Sequence, residues 1–230
     1  MPGRVAVVTG AAGAIGGAVA ATLREDGFTV VCVDAAAGAD AVCDVRSERE
    51  VTALRDRLAD DPGPPWLLVN VAGVFFEHRI PELAEDDWDL LLDTNLKGTF
   101  LTCKAFLPAM IAAGSGCIVN IASTAGLSGG HTRAAYCAAK AGVVMLTRSL
   151  AIDHGPDGVR VNCVAPGLID TPMADWIRTD PERLAEWEGT VPARRIGRPA
   201  DVADAVAFLA SDRAGYLQGS VLRVDGGVLT

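Results

Sequence analysis

The chain lacks most of what marks a secreted, metal-binding or nucleic-acid-binding protein. It has three histidines, His78, His131 and His154, and their spacing offers no metal site. None of its six cysteines (Cys32, Cys43, Cys103, Cys117, Cys137, Cys163) forms a C-x-x-C pair, and most lie inside apolar runs. They read as reduced core thiols, not as a disulfide framework. Basic charge is in deficit: 20 Lys plus Arg stand against 29 Asp plus Glu, a formal charge of −9. A chain of that sign repels phosphate backbones, so no nucleic-acid partner is expected. No basic segment followed by an apolar stretch opens the sequence, and none of its apolar runs reads as a membrane span. A cytoplasmic protein without a membrane partner is therefore expected. Repeats, low-complexity tracts and linkers are absent too. The 230 residues, half of them hydrophobic, should form a single domain over 1–230 with one sizeable core.

What is present is a regular alternation. Apolar runs at 4–8, 28–33, 66–70, 117–122, 159–165 and 220–225 are rich in Val and Ile, as strands buried on both faces should be. A weaker strand is placed at 41–43. Between the runs lie helical patterns at 14–26, 47–60, 93–113, 132–153 and 200–210, the first closing on Gly27. This pattern predicts an α/β fold: a doubly wound, Rossmann-type parallel sheet of about seven strands with helices on both faces.

The stretch VVTGAAGAIGGAV, Val7 to Val19, sits at the first strand-to-helix turn. Its glycines Gly10, Gly13 and Gly16 are three residues apart, which is not the G-x-G-x-x-G spacing. Backbone N–H groups and the positive end of the following helix can still face a pyrophosphate there, where a Cβ would collide. A bare structural turn is the competing reading. Asp34 ends the next strand at about the twenty-residue offset of a ribose-binding carboxylate. It would accept bonds from ribose hydroxyls and repel a 2′-phosphate, and Ala35 to Ala37 offer no Arg to neutralise one. The expected cofactor is NAD rather than NADP.

Tyr136 and Lys140 lie four apart on a predicted helix and share a face. A phenol titrates near pH 10, too high for a base at neutral pH. An ammonium roughly 5 Å away, at an effective dielectric near 20, favours the phenolate by about 3 kcal/mol, on the order of two pKa units. Y-x-x-x-K is common by chance. Ser123 adds weight because it ends the run 117–122, and open α/β sheets place ligands at the carboxyl ends of their strands.

These motifs together resemble the short-chain dehydrogenase/reductase family over essentially the whole chain. Thr9-Gly10-x-x-x-Ala14-x-Gly16 matches the family's nucleotide turn, in which Gly13 and Ile15 also sit. Asp44-Val45 matches the pair beside the adenine, and Asn70-Val71-Ala72-Gly73 resembles N-N-A-G with Val71 replacing the second Asn. Pro166-Gly167, with Ile169 and Thr171 after it, resembles the segment that packs on the nicotinamide. The resemblance implies a catalytic tetrad of Asn95, Ser123, Tyr136 and Lys140. In it Tyr136 is the acid/base, Ser123 orients the substrate oxygen, and Lys140 lowers the Tyr pKa and binds the nicotinamide ribose. Asn95 would hold a water in a proton relay. T-G-A-A-G-A-I-G also fits the family's longer branch, but only 63 residues follow Gly167, too few for that branch's substrate domain. The compact branch is implied, with a homo-oligomer, dimer or tetramer, formed through the apolar helix around Tyr136.

The expected activity is NAD(H)-dependent hydride transfer between the cofactor and a small secondary alcohol or ketone. Two alternatives stay open: a reductase of 3-oxoacyl thioesters on acyl carrier protein, and a catalytically silent NAD(H)-sensing protein. Val74, Phe75, Leu127, His131, Met173 and Trp176 are expected to wall the substrate pocket. Residues 170–198 should form short helices of a mobile lid. Arg133 is read as a solvated loop position in preference to an anion contact, and no bound metal is expected.

Overall fold

Val5–Thr9 forms strand β1, and all five residues are buried. Its unbroken apolar run serves two cores: Val5 and Val7 enter one, Ala6 and Val8 the other. The structure, a computed structural model, describes residues 3–230. After β1 come α1 (Ala14–Glu25), β2 (Thr29–Asp34), β3 (Ala41–Val42), α2 (Glu48–Asp60) and β4 (Leu67–Asn70). Next are α3 (Glu85–Leu92), α4 (Gly98–Ala112), β5 (Gly116–Ile121), α5 (Ala134–His154) and β6 (Val159–Pro166). The chain ends with α6 (Asp175–Arg178), α7 (Pro181–Thr190), α8 (Pro199–Ala210) and β7 (Val221–Val224).

All seven strands are parallel, in the order β3-β2-β1-β4-β5-β6-β7. One core packs Leu54 and Leu58 of α2, with Phe106 and Met110 of α4, on the sheet. The other packs Val19 and Leu23 of α1, with Val202, Val206 and Leu209 of α8. The expected doubly wound single domain is what forms. Helix α1 stops where expected, because Gly27 takes φ +89, a left-handed conformation that costs a residue with a Cβ.

One boundary differs in a way that matters. The helix expected at 93–113 starts earlier, as α3, and joins α4 through a π-helical turn at Asp93–Lys97. Hydrophobic periodicity does not register one wide turn, and such turns often sit at functional sites. Helix α5 is the one helix among the described residues long and apolar enough to cross a bilayer, by length and composition only. It is a wall of this domain, packed on β6 with Val143, Val144 and Thr147 buried.

The strand order reverses direction between β1 and β4, and the loops leaving these two strands meet there. Thr9 closes the junction: its Oγ1 accepts from the backbone N–H of Val71 at 3.1 Å and of Ala72 at 3.2 Å. This switch point is where an open α/β sheet leaves a crevice for a ligand.

Candidate active site

The glycine turn lies in that crevice. Gly10 has φ +66, and a Cβ there would come within 2.7 Å of the Ala72 backbone. A Cβ on Gly16 would overlap the Gly10 carbonyl and stand 2.9 Å from Ala11 Cα. Gly13 is the looser of the three, with only the Gly10 carbonyl at 3.3 Å. It caps α1 without a side chain, and the first turn of α1, from Ala14 and Ile15 onward, carries no acidic residue. The positive end of a twelve-residue helix is thus left open to an anion.

Asp34 is anchored on the same turn. Oδ2 accepts from the Ala12 N–H and Oδ1 from the Ala36 N–H, both at 3.0 Å. A turn that a Cβ on Gly10 or Gly16 would force apart, at an uncapped helix N-terminus beside a carboxylate fixed at the end of β2, fits a dinucleotide. Asp44 is gripped by Arg46, whose Nη2 donates to Oδ2 at 2.6 Å, and this pairing holds its carboxyl below the usual range. Val45 is buried, and a Cβ on Gly98 would meet its Cγ2 at 2.7 Å. Asn70 acts from behind the crevice: it donates to Asn120 Oδ1 at 2.9 Å and accepts from Thr102 Oγ1 at 2.7 Å. Asn120 continues the chain to Thr147 at 2.9 Å, so β4, β5, α4 and α5 are tied by one buried network.

The four residues of the expected tetrad line one cleft of about 310 Å³, together with Phe75 and the β6 exit residues Pro166, Gly167, Ile169 and Thr171. Ser123 follows β5; its Oγ accepts from the Ala125 N–H at 3.2 Å and lies close enough to the Tyr136 hydroxyl to favour its ionised form. The Phe75 ring meets the Tyr136 ring edge-on at 4.9 Å. Lys140 is buried; its Nζ donates to the Ile121 carbonyl at 2.9 Å and lies 5.8 Å from the Tyr136 ring centroid. Asn95 sits on the π turn, and its Nδ2 donates to the carbonyls of Val74 at 2.9 Å and Leu91 at 3.0 Å. Its Oδ1 is buried without a hydrogen-bond partner. A Cβ on Gly73 would stand 2.5 Å from that oxygen and 3.4 Å from Lys140 Nζ. Gly73 is therefore bare because the carboxamide and the ammonium share its flank.

The electrostatics depart from the expectation. Burial pushes the Tyr136 phenol up to about 12, with Ser123 and Arg133 acting in the lowering direction. Burial pushes Lys140 down to about 8. Desolvation of both groups outweighs the attraction of Lys140 for a phenolate in this cleft. A stability test follows. Unfolded Lys140 keeps its proton up to about 10.5 and the folded one only to about 8. Between those values the unfolded state binds more protons, so this residue makes stability rise with pH there. Tyr136 works oppositely, but only above its ordinary value of 10. Calorimetry of Lys140→Met against wild type should therefore show the gap in Tm moving in favour of wild type from pH 8 to pH 10. A gap independent of pH would remove the assignment of a desolvated Lys140.

The pocket walls match the expectation in part. Phe75, Met173 and Trp176 line the cleft; Val74, Leu127 and His131 do not. Val74 contributes its carbonyl to Asn95, while Leu127 and His131 turn outward in the loop before α5. Arg133, read as solvated, lines the cleft instead. Ser128, Gly129, Gly130 and Leu168 line it too, from the segments before Tyr136 and after Pro166 expected to wall it, whereas sequence reasoning missed the tail residues Val228 and Leu229. The tail's only signal was that two apolar residues follow the glycines after β7. Residues 170–198 contain the short helices α6 and α7, joined by irregular segments, with Trp176 and Trp187 facing the cleft.

A family model described as enoyl-(acyl carrier protein) reductase matches residues 10–229. The chain is a member of the short-chain dehydrogenase/reductase family. It is 44% identical to cis-4-hydroxycyclohexanecarboxylate dehydrogenase of Sinomonas cyclohexanicum, over 97% of this chain and 96% of that one. It is 37% identical to the 3-oxoacyl-[acyl-carrier-protein] reductase FabG of Haemophilus influenzae, over 99% of each. Among solved structures, a putative NAD(P)-dependent gluconate 5-dehydrogenase from Beutenbergia cavernae with bound NADP superposes with a TM-score of 0.92. That pair shares 38% identity over 100% of this chain and 98% of the other. This short-chain dehydrogenase/reductase is thus an oxidoreductase whose family binds a nicotinamide cofactor.

Proposed function

We propose that the chain is an NAD(H)-dependent dehydrogenase of a small secondary alcohol, or a reductase of the matching ketone. The observation that carries this is the convergence of Ser123, Tyr136, Lys140 and Asn95 on one cleft, beside a glycine turn that ends on an anchored Asp34. Nicotinamide, when bound, supplies the hydride acceptor or donor. Gly10 and Gly16 would let the pyrophosphate approach α1, and Asp34 would take the ribose hydroxyls while repelling a 2′-phosphate. The Ser123 hydroxyl orients the substrate oxygen; the Tyr136 phenolate takes the alcohol proton in oxidation, and the phenol returns it in reduction. Lys140 would pass the proton on to a water held by Asn95, whose free Oδ1 shares the flank of Gly73 with Nζ. Residues 170–198 would cover the substrate as a lid.

Titration of the purified chain with NADH and NADPH in the same buffer, read by fluorescence, tests the cofactor assignment. NADH should bind at least tenfold tighter. Preference for NADPH would sink the Asp34 argument. It would also advance the second reading, reduction of a 3-oxoacyl thioester, which the likeness to FabG favours. No binding of either would remove the nucleotide reading. The same sample should scatter light as a dimer or tetramer, since Phe100 of α4 with Met145 and Ile152 of α5 stand exposed at 44%, 55% and 77%. A monomer mass would end that part of the proposal.

A further inference from the structure

Arg133 holds a place in the cleft that the tetrad does not explain. Its guanidinium lies 5.3 Å from the Phe75 ring centroid and 5.0 Å from that of Trp176. Nε donates to Glu77 Oε1 at 2.6 Å. Two rings and a carboxylate fix the plane of the fork, and Nη1 and Nη2 donate to no group among the described residues. Of the charged side chains lining the cleft, Arg133 and Lys140 are both cationic, and no Asp or Glu joins them. Lys140 is committed to the Ile121 carbonyl. Glu77 offsets the charge of Arg133 from outside the cleft lining, and what Arg133 offers the cleft is one donor pair held in a fixed plane.

We infer that Arg133 anchors a substrate carboxylate, so that the enzyme's substrate is a hydroxy acid, or the matching oxo acid, with its two groups about one ring's width apart. The spacing comes from Phe75, which lies 4.9 Å from the Tyr136 ring and 5.3 Å from the Arg133 Cζ. A substrate bonded to Tyr136 and Ser123 at one end therefore crosses the Phe75 ring before meeting the guanidinium. Its apolar middle faces Phe75, Met173 and Trp176. Arg133 and Tyr136 are three residues apart at the start of α5, which gives them neighbouring positions on its surface. A planar fork with two free parallel donors matches a carboxylate, where a lysine would offer only a point charge. This inference rests on the alcohol dehydrogenase reading and narrows its substrate.

The test compares 4-hydroxycyclohexanecarboxylate with its methyl ester as substrates, with NAD⁺, in wild type, Arg133→Met and Arg133→Lys. Wild type should favour the acid in kcat/KM, and Arg133→Met should reduce the acid-to-ester ratio by about 10- to 100-fold, the range of a charged hydrogen bond. Arg133→Lys should recover only part of it. A purely structural role would lower both substrates together and leave the ratio unmoved, which would overturn the inference. A binding arm works even without turnover. Cyclohexanecarboxylate should perturb tryptophan fluorescence of the NADH-loaded chain more strongly than cyclohexanecarboxamide, and Arg133→Met should erase the difference. Failure of nucleotide binding or of all alcohol turnover would count against the dehydrogenase reading. Equal response to acid and amide would count against Arg133 alone.

Discussion

Tyr136→Phe is expected to lower kcat/KM by about 10²- to 10⁴-fold, the usual worth of one positioned proton-transfer group. The substitution removes a single oxygen. The ring that meets Phe75 edge-on at 4.9 Å is retained, so the cleft wall and the nucleotide turn should be unchanged. NADH affinity should therefore stay within a few fold while turnover collapses. The phenol is held up near 12 by burial, so at neutral pH it carries its proton. That state suits donation to a forming alkoxide, and alcohol oxidation should accelerate with rising pH as the phenolate fraction grows. A loss under fivefold in the Phe variant, or an unaltered alkaline limb, would show that another group moves the proton. Loss of turnover together with loss of NADH binding would point to a collapsed cleft instead.

Gly16→Ala should damage both stability and cofactor binding. The added Cβ would overlap the Gly10 carbonyl and approach the Ala11 backbone, neither of which can swing aside as a long side chain would. Overpacking of this kind typically costs about 1–3 kcal/mol. For a domain of this size each kcal/mol is worth roughly 2–4 °C, so a fall in Tm of several degrees is expected. Moving Gly10 also shifts the loop against Ala72, which narrows the phosphate cradle, and NADH affinity should fall at least tenfold. Gly13→Ala is the control. Its Cβ would meet only the Gly10 carbonyl at 3.3 Å, so a much smaller loss in both readouts is expected. Equal losses at the two positions would refute the distinction.

That distinction marks the limit of reading this turn from sequence. Three evenly spaced glycines look equivalent as letters, yet the close approaches fall on Gly10 and Gly16 because those two pack backbone on backbone. Arg133 is a second case. In sequence it is a cation in a short Gly-rich loop, and solvent is the natural prior for such a residue. Only the fold brings Phe75, Glu77 and Trp176 around it, from two other segments of the chain. His131 is the converse: two residues away in sequence, it lies outside the cleft that Arg133 enters.

The strands and the candidates Ser123, Tyr136 and Lys140 were legible because each is carried by local pattern, whereas Asn95 entered only through the family resemblance. Continuous apolar runs can only be covered on both faces, and Ser123 at a strand end with Tyr136 and Lys140 one turn apart needs no distant partner to be noticed. The motifs together carry the resemblance to the short-chain dehydrogenase/reductase family, and the family model over residues 10–229 shows the membership. What tertiary structure alone decided is of another kind. The π turn aims the Asn95 carboxamide at Gly73, the tail residues Val228 and Leu229 reach the cleft, and burial moves Tyr136 and Lys140 away from the values their mutual attraction implied. Each depends on how much water is excluded and which remote backbone fills the space, and neither quantity is written in the spacing of residues along a chain.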